Sequence, residues 1–394
     1  MHRLTLLAAL LHPEQLRAAL RPHRGGPSTR DALGGALRCG ASVALALLVV
    51  AAAGRQDLAG YAAIGALASL YGRSAGYAWR VRLMALVGAA LTGTVALMSA
   101  LADAPVVLVL AALTVVASAA TAGAAALRTG PPAATIVVFA AGAGTAATSG
   151  AGDVAARAAA VATGLLVALL VCNAGAAADL LRGRPVPPAP RVRDVVRAGT
   201  AGGAALGPAI TVAAAAAVAS TVATWAGWGH PAWAVMGAAA VLQGAHVRHM
   251  GVRALQRAAG TACGALVALP LLGAHLDFVA VAVLVVVLQT VTELVVARHY
   301  GVAMLTITPM ALLMTSIGAP LDPTALALDR ALDTAVGAVV GLVVAVAAAR
   351  PEPAGPAAAR SATDRTDGPD ARQHPASAPS HDPTVLAARQ NGPC

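Results

Sequence analysis

The residues able to do chemistry in this chain are two basic clusters and one acid set among apolar residues. Arg248, Arg253 and Arg257 follow a short apolar run, and Arg80 and Arg82 follow another. Guanidinium groups stay charged and present N–H donors in a planar fork, so such clusters suit anions rather than proton transfer. The plainer role is orientation, since arginines between apolar runs fix topology or meet anionic lipid. Glu293, in VVVLQTVTELVVARHY, is the one Glu inside an apolar run. An acid at that depth is a candidate proton carrier or the partner of a cation, and Arg298, five residues on, is placed to lock the helix end with it. Arg330 and Asp333, spaced i and i+3, read as a local pair. His246 and His249 have the spacing of helical metal ligands, but no carboxylate or Cys lies near them in sequence, so no metal is expected. No nucleophile motif, phosphate loop or catalytic carboxylate pair occurs, so neither a catalytic residue nor a cofactor is expected, and the chain does not read as an enzyme.

These groups must be positioned by membrane helices. The 394 residues are 58% hydrophobic and 11% charged, with a mean hydropathy of +0.74, far from the roughly 25% charge of a soluble domain. The net charge of +10 does not indicate a nucleic-acid partner, because every basic residue is Arg and the arginines sit between apolar runs. The absence of Lys beside abundant Ala, Gly and Arg is the bias of a GC-rich, bacterial source. Cys39, Cys172, Cys263 and Cys394 show no paired spacing, so no disulfide framework follows. Leu4 to Leu11 is followed by His12, Pro13 and Glu14 without a small-residue cleavage site, which reads as a cytoplasmic or interfacial helix rather than a cleaved signal.

Apolar runs fall at 32–54, 58–72, 83–102, 105–127, 131–149 and 154–178, then at 195–224, 231–245, 255–273, 278–297, 301–318 and 331–349. The expected fold is therefore all-α and polytopic, with about twelve transmembrane helices. Arginines concentrate in alternate loops, which places both termini in the cytoplasm of a bacterial plasma membrane. The opposite loops carry Asp57, Asp103, Asp153, Asp277 and Asp322, with Trp225, Trp228 and Trp233 as an interfacial belt. The expected organisation is a cytoplasmic segment (1–30), a six-span unit (31–181), a basic Pro-rich linker (182–194), a second six-span unit (195–350) and a disordered cytoplasmic tail (351–394).

The two units read as copies. Gly65, Gly72 and Gly88 lie 172 residues before Gly237, Gly244 and Gly260, with Tyr61 opposite Trp233; Arg157 and Gly164 lie 173 before Arg330 and Gly337. Units with an even number of spans share one orientation and enclose a path between them. Two pairs of spans at equivalent places are short or interrupted, which is where a transport site is expected. The second and eighth are short. The fifth and eleventh are interrupted, the first by Gly142, Gly144 and Thr145 and the other by Thr306, Thr308 and Pro309. Pro309 frees a carbonyl in mid-span, so a path lined by Thr306, Thr308 and Pro309 is expected there.

The stretches HPAWAVMGAAAVLQGAHVRHMGVRALQRAAGT, ELVVARHYGVAMLTITPMALL and DRALDTAVGAVVG, in that order, resemble the fusaric-acid-resistance-like family, which includes aromatic carboxylic acid exporters; plant malate channels are more distantly similar. The resemblance covers most of the second half and reaches the first only through the repeat. It marks His230, Trp233, Gln243, Arg253, Arg257, Gly260 and Thr261, then Glu293, Arg298, Tyr300, Thr308 and Pro309, then Arg330, Asp333, Thr334 and Gly337; His299 departs from the family's Asn. What it implies is a proton-gradient-driven efflux permease for small organic carboxylates, with Glu293 carrying the proton and the doubled cluster of Arg80, Arg82, Arg248, Arg253 and Arg257 ringing a cytoplasmic entrance. A passive anion channel and a non-transporting scaffold are the alternatives. The expected partners are the bilayer, a small organic anion and a second copy of the chain, with no nucleic acid.

Overall fold

The breaks between apolar runs decide where each helix stops, and glycines with positive φ mark several of them. The computed structural model describes residues 28–244, 247–317 and 322–349. The expected N-terminal segment up to residue 27, His246 and the tail from residue 350 lie outside the described residues, as does the side chain of Arg248.

Among the described residues the chain is all-helical, with 13 α-helices and no strand. The first half holds α1 (Thr29–Ala52), α2 (Ala59–Ala66, continued by a 3-10 turn at Leu67–Leu70), α3 (Tyr77–Ala100), α4 (Val106–Ala126), α5 (Thr135–Gly144) and α6 (Ala151–Leu181). After α7 (Val192–Thr200) come α8 (Leu206–Trp225), α9 (Pro231–Val241), α10 (Val247–Gly273), α11 (Phe278–Val295), α12 (Tyr300–Ser316) and α13 (Pro323–Ala348). Side chains begin several of them: Ser28 accepts from the Asp31 N–H, Asp277 from that of Ala280, and Asp322 from those of Thr324 and Ala325.

Eight of these helices (α1, α3, α4, α6, α8, α10, α11 and α13) are long and apolar enough to cross a membrane, and the chain is an integral membrane protein. The other four runs expected to span form shorter helices. Helices α2, α5, α9 and α12 have 8, 10, 11 and 17 residues. At about 1.5 Å per residue these give roughly 12 to 26 Å, less than the hydrocarbon core of a bilayer. The path of α2 ends in extended backbone at Tyr71 and a left-handed Gly72, at φ 69°. The run expected over 195–224 is also broken. Gly202 and Gly203, at φ 63° and 76°, separate α8 from α7, which begins inside the expected linker.

The short helices are central. Every residue of α9 from Ala232 to Val241 is buried, as are six of the eight residues of α2. The long helices wall them in and turn Leu and Val outward, including Val107, Leu166, Leu170 and Val279, the composition hydrocarbon requires. Helix α2 packs on α6 and α1, and α9 packs on α13 and α8. The two sequence halves meet where α1 packs on α11, α4 on α8 and α5 on α9.

Candidate anion-binding site

The arginines nearest the ends of the short helices are engaged with backbone. Arg80, in the first turn of α3, donates to the carbonyls of Gly72 (3.1 Å), Arg73 (3.1 Å), Ala75 (2.9 Å) and Cys172 (3.1 Å). It folds the turn after α2 and satisfies carbonyls left where helical bonding stops. Arg82 donates to the Pro190 carbonyl at 2.9 Å and so holds the linker against α3. Arg253 plays the capping part after α9, with Nε 3.0 Å from the Ala240 carbonyl and its guanidinium 4.5 Å from the centre of the Tyr300 ring. Gln243 donates to Thr135 Oγ1 (2.8 Å) and the Pro132 carbonyl (3.4 Å), tying the end of α9 to the start of α5.

Glu293 is buried on α11 and takes Arg73, from the turn after α2, as its ion-pair partner; Gln289 donates to its other oxygen at 3.3 Å. Arg298 reaches Thr29 Oγ1 at 3.2 Å. Beside this pair, the Thr292 and Thr306 hydroxyls lie 2.6 Å apart and join α11 to α12. In sequence Arg73 is one more arginine in a loop between apolar runs. The signal that could have found it is the acid itself, because a buried carboxylate requires a cation and Arg73 ends a matching short helix.

Deeper, where α9, α10, α12 and α13 pack together, lie charged groups with uncommitted atoms. Arg257 on α10 is 3% exposed; its Nη1 donates to Tyr300 Oη at 2.9 Å, while Nε and Nη2 have no hydrogen-bond partner. Arg330 on α13 is 1% exposed and lies 5.0 Å from the centre of the Trp233 ring, with Nε and Nη1 unpartnered. Asp333 is fully buried one turn later, and neither carboxylate oxygen accepts a hydrogen bond. The local Arg330 to Asp333 pair expected from their spacing is not formed, because the Arg330 guanidinium turns to the face of Trp233. Arg330 is still near enough to Arg257, Asp333 and Tyr300 to feel their charges. The buried hydroxyls of Thr261, Thr308 and Thr334 are unpartnered as well. Pro309 follows Thr308 and leaves the Leu305 carbonyl without a helical donor.

One end of this cluster is held from the turn before α9. His230 stacks on Trp233 with ring centres 4.0 Å apart, and Asp329 accepts from the Gly229 N–H at 3.1 Å with its Oδ2 3.4 Å from His230 Nδ1. Burial holds His230 below the ordinary histidine range, against the pull of Asp329.

Six of the motif residues thus converge: Trp233, Arg253, Arg257, Tyr300, Arg330 and Asp333 come from four helices to one place. Two deeply buried guanidiniums with free N–H groups and one carboxylate form a centre that attracts anions, and their forks fit a carboxylate. In the first half, Arg157 lies 5.4 Å from the centre of the Tyr61 ring but donates to the carbonyls of Ala146 (2.7 Å) and Ala147 (2.5 Å). Two cavities, of about 350 and 490 Å³, also lie in that half; the first is an apolar groove between α3 and α4.

Residues 215–344 match the family model described as fusaric acid resistance protein-like, a span that contains every residue of the buried cluster. This bears out the resemblance read from the motifs. No curated protein and no solved structure matches the chain.

Proposed function

With residues 215–344 matching the fusaric acid resistance protein-like family, we propose that this chain is an efflux permease for small organic carboxylates, aromatic ones included. A membrane transport role is the part that the family match and the eight span-length helices support directly. The observation that carries the anion is the pair of buried guanidiniums, Arg257 and Arg330, each with two nitrogens free of hydrogen bonds. A charge so placed is stabilised by a counter-ion that hydrogen-bonds to it, and a carboxylate does both. Tyr300 and Trp233 hold the two guanidiniums in place.

The reading includes two six-helix units in parallel, in a bacterial plasma membrane with both termini cytoplasmic. What supports the duplication is matched packing at matched residues. A Cβ on Gly65 would meet the Val161 carbonyl and one on Gly164 the Ala62 carbonyl; on Gly237 it would meet the Thr334 carbonyl and on Gly337 the Ala234 carbonyl. The Arg157 to Tyr61 and Arg330 to Trp233 contacts follow the same correspondence. The anion enters past Arg253 at the cytoplasmic end of α10, and Thr306, Thr308 and Pro309 line its way along α12. Glu293, closed on Arg73 between the halves, is the group assigned to proton coupling.

Everted vesicles loaded with the full chain test this with a panel of mono- and dicarboxylates, with and without a pH gradient. Accumulation of at least one carboxylate, lost in Arg257→Gln, is expected. No movement of any acid would sink the permease, and flux that follows voltage but ignores the pH gradient would make it a passive channel.

A further inference from the structure

We propose that the groove between α3 and α4 is a site for one anionic phospholipid, with an acyl chain lying along the groove and the phosphate at Arg128 and Arg82. The groove has a volume of about 350 Å³. Leu86, Ala90, Gly93 and Leu97 form one stripe along α3, and Ala120 and Gly123 of α4 line the other side. Buried Tyr71 and Val137 close its floor. A Cβ on Gly93 or Gly123 would meet nothing within 4 Å, so these small residues leave the groove open. Leu86 and Leu97 are 40% and 47% exposed, which sets the opening on a face that α3 turns to hydrocarbon. None of the lining residues is charged, and the Tyr71 hydroxyl is committed to the Ala133 carbonyl at 2.7 Å. A small carboxylate would find no counter-charge inside, whereas a hydrocarbon chain needs none. A helix about 10 Å across, laid along the roughly 16 Å of that stripe, would need far more volume than the groove holds.

The charge stands at one end of this apolar groove. Arg82 lies one turn before Leu86 on the same stripe, and Arg128 lies between the lining residues Leu127 and Thr129; both are exposed. Arg82 gives Nη1 to the Ala189 and Pro190 carbonyls, which leave its charge unneutralised. The acids on either side of the linker are taken, Asp179 by Arg184 and Asp194 by Arg193. Arg128 also stands at φ 53°, in the left-handed turn after α4, where its N–H meets the Ala125 carbonyl at 3.1 Å and that of Thr129 meets the Ala124 carbonyl at 3.0 Å. Glycine is the usual residue at such a helix end, so the chain keeps a cation where the backbone favours none. A phosphate at these two arginines is attracted by both, whereas the ammonium of a zwitterionic headgroup would be repelled by them, so an anionic lipid is preferred.

The test uses the full chain in detergent, stripped of lipid and titrated with phosphatidylglycerol or phosphatidylcholine of matched chains, with bound lipid counted by native mass spectrometry. The wild type is expected to bind one phosphatidylglycerol at least about fivefold more tightly than phosphatidylcholine. Arg128→Gly suits the left-handed backbone and should lower that preference about fivefold while the protein stays folded. Gly93→Leu fills the groove and should weaken both lipids alike. Glycerophosphoglycerol, the same headgroup without chains, should not compete. Equal binding of the two lipids by the wild type, or an unchanged preference in Arg128→Gly, would overturn the headgroup site. Lipid binding that survives Gly93→Leu, or competition by the free headgroup at equal concentration, would overturn the seat of the chain. A dimer that Gly93→Leu dissolves would give the groove to a second copy and overturn the proposal as a whole. Should either variant fail to fold, the wild-type preference and the headgroup competition decide. None of these outcomes depends on carboxylate transport.

Discussion

Arg73 and Glu293 form an ion pair that joins the turn after α2 to α11, so a residue of the first half neutralises the one Glu inside an apolar run. Its two ends are unequal. The Glu293 side chain is 4% exposed and that of Arg73 33%, so water can reach only the cation. Arg73→Ala should strand a buried carboxylate and destabilise by about 3 kcal/mol, whereas Glu293→Gln, which leaves a solvated guanidinium, should cost roughly 1 kcal/mol. The double variant should then resemble Glu293→Gln alone. Thermal unfolding in detergent measures all three, and equal losses in the two single variants would contradict the asymmetry.

Gly65 and Gly164 face each other across α2 and α6, as Gly237 and Gly337 do across α9 and α13, with no room for a Cβ against the opposing backbone. Backbone cannot yield as a side-chain tip does, so Gly→Ala at any of the four should cost about 1–3 kcal/mol or more by overpacking. Gly93 on α3 is the control, since a Cβ there meets nothing within 4 Å. Gly93→Ala should be neutral or stabilising, by up to about 1 kcal/mol. Similar melting temperatures for Gly93→Ala and Gly337→Ala would show that the close packing is not under strain.

Arg82 reaches out from α3 to the Ala189 and Pro190 carbonyls, which fixes the linker by one exposed side chain. Arg82→Ala should release it with little loss of global stability, well under 1 kcal/mol, because exposed contacts contribute little. The expected signature is local: faster trypsin cleavage at Arg182 and Arg191, with unchanged melting and unchanged carboxylate flux. Unaltered cleavage rates would mean that other contacts hold the linker.

How far this could be read from sequence depends on the range of the interaction. All twelve apolar runs become helix because hydropathy is a local property. That four of them stop short was legible in part, for α2 and α9 from their length; the interruption expected at Pro309 is not formed, because α12 carries the proline through. The split at Gly202 and Gly203 was not legible, since Gly123 sits in an equally small-residue stretch and stays helical. The positions of the buried cluster were legible only as a motif, because nothing local says that Arg257 and Arg330 meet. The expected Arg330 to Asp333 pair shows the limit of spacing arguments. Separation by i and i+3 permits a contact, but the Trp233 ring, nearly 100 residues away, decided where the guanidinium went. Arg80 carries the same lesson, since its acceptors at Gly72, Arg73 and Ala75 exist only once α2 has stopped at Gly72.

The last prediction concerns acid. His230 stacks on Trp233, and burial depresses its pKa below the ordinary histidine value of about 6.5, although Asp329 draws it upward. Arg330 also faces it and opposes a further positive charge. A histidine with a depressed folded-state pKa contributes stability above its unfolded value and loses it as pH falls, because the unfolded chain binds the proton more readily. The melting temperature should therefore fall between about pH 7 and pH 5, and His230→Gln should flatten that decline while lowering stability at neutral pH through loss of the ring stack. Asp329→Asn separates the two influences. Removing the upward pull should deepen the decline and extend it to lower pH, and an unchanged decline would mean that Asp329 does not act on the ring.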